Sequence, residues 1–66
     1  KNFSEYVNSY RVNEFKERVL LEEYKGLTLM AVAYDSGFNS KTVFNTFFKK
    51  IEGTTPNSYL RSNQAN

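Results

Sequence analysis

Three glycines and one proline divide this 66-residue chain, and each of them stands near a residue that can open or close a helix. Gly26 precedes Thr28, Gly37 precedes Ser40, and Gly53 precedes Thr55-Pro56. Hydroxyl side chains cap helix N-termini, glycine ends helices in the left-handed conformation, and proline is at ease in the first helical position. The pattern predicts an all-α fold: a small helical bundle with a long N-terminal helix. That first helix is expected from Glu5 to about Leu20, with Ser4 as its cap and Phe3 as the outer half of a hydrophobic staple. The segment 21–26 is a short connection. Thr28 caps a second helix, Leu29–Ser36, closed by Gly37. Ser40 caps a third, Lys41–Glu52, stopped by Gly53. A fourth starts at Pro56 and ends near Arg61, and 62–66 is expected to be a disordered polar tail. No stretch alternates in the manner of a strand.

A chain this short buries only about 60% of the surface that its unfolded form exposes, so one core is the most it can build. With 39% hydrophobic and 24% charged residues it has the composition of an ordinary folded domain. It has no cysteine and no histidine. Disulfides, thiolate and imidazole chemistry and zinc sites built on those ligands are therefore excluded. No apolar run approaches the roughly 18 residues that a membrane-spanning helix requires. No membrane association is expected, and a cytoplasmic location fits. Catalysis has no visible basis either: the second half of the chain holds only Asp35 and Glu52 as acids, and Ser36 and Ser40 are accounted for by helix ends. No cofactor and no metal are expected.

The helix faces carry more information. On the first helix Phe3, Tyr6, Val7 and Tyr10 lie on one side, while Val12, Phe15 and Val19 lie on nearly the opposite side. A helix packed on one body keeps its apolar stripe on one face. The switch near Arg11 points to a crossing helix that serves two bodies, the second lying upstream of Lys1. On the third helix Val43, Phe44, Phe47, Phe48 and Ile51 share one arc and are expected in the core. The opposite arc holds Lys41, Thr42, Asn45, Thr46 and Lys49, with Lys50 at its edge and no carboxylate. Solvated faces usually mix both signs of charge. A face of lysine, threonine and asparagine suits phosphates and base edges instead. Charge agrees: residues 1–33 carry five basic and five acidic groups, so the net charge of +2 belongs entirely to the second half.

The second and third helices, separated by Gly37-Phe38-Asn39-Ser40, form a helix-turn-helix pattern, with a small residue at Ala33 and an apolar plug at Phe38. Lys41, Thr42 and Asn45 are the candidates for base-edge contact. Ser40, Thr46, Lys49, Lys50 and Thr55 are the candidates for contact with the DNA backbone, Lys50 being equally able to cap its own helix.

Residues 27–59, LTLMAVAYDSGFNSKTVFNTFFKKIEGTTPNSY, resemble the signature region of AraC/XylS-type bacterial transcription regulators. The matching features are Ala33, Gly37-Phe38, Ser40, Phe44, Phe48-Lys49-Lys50, Gly53, Thr55-Pro56 and Tyr59. Phe3 to Val7 and Arg11-Val12 are similar to the start of that family's linker helix. The resemblance implies two helix-turn-helix subdomains joined by the linker, of which this chain carries the linker (1–20) and the second subdomain (21–61). Phe3, Tyr6, Val7 and Tyr10 would then face the upstream subdomain, or pair with a second copy of the chain. Three residues depart from the family pattern: Thr46 where arginine is frequent, Phe15 where alanine is usual, and Arg18 where leucine is usual. The alternative is a helical protein-interaction module without DNA binding.

Overall fold

The computed structural model describes residues 2–64, with side chains described through Ser62. Lys1, Ala65 and Asn66 lie outside the described residues. Four helices follow one another: α1 (Phe3–Arg18), α2 (Leu29–Asp35), α3 (Lys41–Glu52) and α4 (Pro56–Gln64), with a 3₁₀ turn at Glu22–Tyr24 between α1 and α2. No strand occurs among the described residues, and the fold is all-α.

The caps show why the helices begin where they do. Thr28 accepts from the Ala31 amide at 3.1 Å, Ser40 from Val43 at 3.3 Å and Thr55 from Ser58 at 3.2 Å, as the sequence predicts. The first helix differs. Its cap is Asn2, not Ser4: Asn2 Oδ1 accepts from the Glu5 amide at 2.8 Å, and Glu5 Oε1 accepts from the Asn2 amide at 3.3 Å. This reciprocal capping box needs an acid or amide three residues on. Asn2 has Glu5 there, whereas Ser4 has Val7. Phe3 consequently becomes the first helical residue, 82% exposed, and serves no staple. At the other end of the chain α4 continues through Gln64, so the expected tail begins as helix.

α2 ends in a Schellman turn. The Gly37 amide donates to Tyr34 O at 3.0 Å and the Phe38 amide to Ala33 O at 3.1 Å, with Gly37 at φ +110°. That turn drops Phe38 into the core, which consists of Val12, Phe15, Val32, Ala33, Phe38, Phe44 and Phe48, each no more than 1% exposed. Phe15 sits at its centre, its ring 4.9 Å from Phe44 and 5.5 Å from Phe48. Phe38 meets Phe44 at 5.2 Å, and Tyr59 of α4 meets Phe48 edge-on at 5.5 Å. Such tilted and edge-on ring pairs add to the burial of large apolar side chains. Phe15 thus supplies the volume that links α1 to α3.

The expected core arc of α3 is corrected by the packing. Phe44 and Phe48 are buried, but Phe47 is only half-buried and Val43 and Ile51 are exposed. One crossing helix covers a narrower stripe than the arc predicted, and α1 covers the Phe44–Phe48 line. On α1 the face switch holds as geometry: Val12 and Phe15 point inward, whereas Phe3, Tyr6 and Tyr10 are exposed and Val7 is half-buried. Arg18 donates to the backbone oxygen of Asp35 at the C-terminal end of α2, where a cation also meets the negative end of the helix dipole. Tyr24 donates its hydroxyl to the Asp35 carboxylate, and that hydrogen bond holds the phenol above its ordinary pKa.

Candidate nucleic-acid interface

The outward direction of α3 is set by the two rings that point inward. Thr46 lies about 160° from both Phe44 and Phe48 on the helix wheel, with Thr42 and Lys49 beside it. Lys41, Thr42, Asn45, Thr46 and Lys49 are all exposed. No carboxylate shares this face, and none of the ion pairs among the described residues includes Lys41 or Lys49. The acids of the second half are engaged elsewhere: Glu52 with Lys16 at 2.9 Å, and Asp35 with Tyr24.

Apart from the cap residue Ser40, the sequence-derived set separates into three parts. Lys41, Asn45 and Thr55 line one groove of about 380 Å³, where the first turns of α3 and α4 meet the start of α2; Met30 and Phe44 contribute apolar wall. Thr42, Thr46 and Lys49 form the outermost surface of α3. Lys50 lies on the opposite flank. Its Nζ is 3.3 Å from Glu5 Oε2 and 5.7 Å above the Phe47 ring, so it neither caps its own helix nor stands free. The Ser40 and Thr55 hydroxyl oxygens accept the capping bonds already described and keep their O–H groups to donate.

Asn57 was not singled out from sequence, yet it lines the same groove as Asn45 and Lys41. The available signal was Pro56: a proline in the first helical position places the next residue in the exposed first turn.

Arg11 of α1 closes over the turn between α2 and α3. A Cβ at Gly37 would lie 3.2 Å from Arg11 Nε and 3.3 Å from Arg11 Cγ. Arg11 itself donates to Asn8 Oδ1 at 3.3 Å, and the buried Asn8 donates to Ser4 O at 3.0 Å. The turn therefore rests on Arg11 through a close packing contact, and the bonds to Asn8 and Ser4 hold Arg11 within α1.

A short helix, a glycine turn plugged by phenylalanine and a longer helix with a polar, basic outer face make up this surface. A family profile described as a helix-turn-helix domain matches residues 1–62. The chain belongs to that helix-turn-helix family. The family match extends over α1 and into α4, so all four helices belong to the helix-turn-helix domain, and its fold is that of a regulatory domain of this kind. Helix-turn-helix domains of this type are not catalytic, and among the described residues no group of three or more acidic, histidine or cysteine side chains is placed to hold a metal. No described helix is long and apolar enough to cross a membrane. Neither a curated protein nor a solved structure matches the chain.

Proposed function

We propose that this helix-turn-helix domain binds double-stranded DNA in the cytoplasm as part of a bacterial transcription regulator of the AraC/XylS type, with α3 in the major groove. The observation that carries this reading is the carboxylate-free outer face of α3, on which Lys41 and Lys49 have no ion-pair partner among the described residues. Eight residues apart on one helix, the two lysines stand about 12 Å from each other along its axis. Lys41, Thr42 and Asn45 meet base edges, where asparagine pairs with adenine and the threonine methyl meets thymine. Ser40, Thr46, Lys49 and Thr55 lie toward the phosphates, and Lys50 joins them by exchanging its Glu5 contact for a phosphate. Phe3, Tyr6, Val7 and Tyr10 face an upstream helix-turn-helix subdomain of the same protein. In its absence they favour pairing with a second copy.

Fluorescence anisotropy of a labelled duplex, titrated with the chain at several salt concentrations, tests the reading. Three to five lysine and arginine side chains near phosphates give a slope of log affinity against log salt of about −3 to −4. Salt-independent affinity, or no binding at about 20 mM salt, would leave the protein-interaction module as the better account.

A further inference from the structure

Val43 is an apolar residue that the bundle covers only in part. It is 38% exposed, whereas its neighbour Phe44 is at 1%. Single exposed aliphatic side chains are ordinary. The position of this one is not, because it occupies the first turn of α3, the end of a recognition helix that approaches base edges most closely. The groove that takes up Phe47 and Ile51, lined also by Glu5, Ser9 and Lys50, does not include Val43. On the helix surface its neighbours are Thr46, three residues on and exposed, and Phe47, four residues on and half-buried.

Two further features hold the side chain rigidly. The Val43 amide donates to Ser40 Oγ at 3.3 Å, so the backbone at this residue is fixed by the helix cap. A β-branched side chain inside a helix has essentially one χ1 rotamer. Val43 therefore presents two methyl groups in one orientation, at little entropic cost on binding. The chemistry that matches a rigid apolar projection in the major groove is the C5-methyl of thymine, the one apolar group on that edge of the base pairs.

We propose that Val43 is a specificity-determining residue that reads a thymine methyl. This rests on the placement of α3 in the major groove, and it adds a second thymine contact to the one assigned to Thr42. Burial of one methyl contact corresponds to about a fourfold change in affinity.

The test uses duplexes selected by the chain from a random library, with each thymine replaced singly by deoxyuridine, which removes only the methyl. The expected result is one position, distinct from any thymine that Thr42 meets, where deoxyuridine weakens the unsubstituted chain about fourfold and leaves Val43→Ala unaffected. Val43→Thr, which keeps the branch and one methyl, should retain part of the preference. The exposed position lets Val43→Ala fold, which a thermal melt verifies. If no thymine is selected, if deoxyuridine is neutral everywhere, or if at every thymine it weakens both proteins equally, the Val43 assignment falls while salt-dependent duplex binding still stands. If no duplex is bound at low salt, the DNA reading fails and the Val43 assignment falls with it.

Discussion

Lys16 Nζ lies 2.9 Å from Glu52 Oε2 and ties the C-terminal half of α1 to the last residue of α3. The bond to Glu52 raises the lysine pKa above its ordinary value, against a smaller opposing effect of burial. A raised lysine pKa stabilises the fold at every pH below the unfolded value, about 10.4, and the contribution is lost as pH rises through the folded value. Both side chains retain solvent contact, so the pair is worth about 0.5–1 kcal/mol. Lys16→Met should lower the Tm by about 2–8 °C near neutral pH, with the difference from the unsubstituted chain shrinking above roughly pH 10.5. Thermal melts across this range check the sign.

The glycine turn supplies a second prediction. Gly26 and Gly37 both have positive φ, but only Gly37 has Arg11 against its open side. Gly26→Ala should cost the left-handed strain alone, roughly 1–2 kcal/mol. Gly37→Ala should cost measurably more, and Arg11→Ala should remove that excess without removing the strain. Denaturant titrations of the single and double variants decide it; equal costs for both glycines would mean that the Arg11 side chain yields freely to a Cβ at position 37.

Phe15, Phe44 and Phe48 form one connected set of rings, and each truncation to alanine should cost about 3–5 kcal/mol. That is comparable with the whole stability of a domain of this size, so circular dichroism should report largely unfolded variants. Phe15→Leu, which keeps more of the volume, should remain folded at reduced Tm.

The outer face of α3 should behave in the opposite way. Lys41→Ala and Asn45→Ala should shift Tm by no more than a few degrees, since exposed positions usually contribute within about 0.5 kcal/mol. The same variants should weaken duplex binding and change base preference, whereas Lys49→Ala should reduce the salt slope by about 1. A stability loss for Lys41→Ala like that of Phe44→Ala would sink the assignment.

On α1, Phe3 at 82%, Tyr6 at 67% and Tyr10 at 60% exposure form an apolar face that none of the described residues covers. Sedimentation velocity at rising concentration should show self-association, and the triple variant Tyr6→Ser, Val7→Ser, Tyr10→Ser should abolish it without unfolding. A monomer at every concentration would remove the self-pairing reading.

Much of this architecture was legible in the chain itself, because it depends on local chemistry. Thr28, Ser40 and Thr55 cap the helices predicted for them, and Gly37 and Gly53 end α2 and α3, since capping and left-handed turns involve residues within four positions of each other. The α1 face switch was equally visible as a periodicity. The cap of α1 was legible too, but only by asking which candidate had an acid three residues on, and that favours Asn2. Tertiary packing decided the remainder. Periodicity assigns Val43, Phe44, Phe47, Phe48 and Ile51 to one arc, but which of them are buried depends on how wide a strip α1 covers as it crosses α3. Lys50 looks like part of the basic face until the fold brings Glu5, forty-five positions away, to 3.3 Å from it. Arg18 and Phe15 acquire their roles in the same way, one against the end of α2 and the other between the rings of α3. Side-chain periodicity is a property of one helix, whereas burial and ion pairing are set by the distance between two, and that distance exists only once the helices have packed.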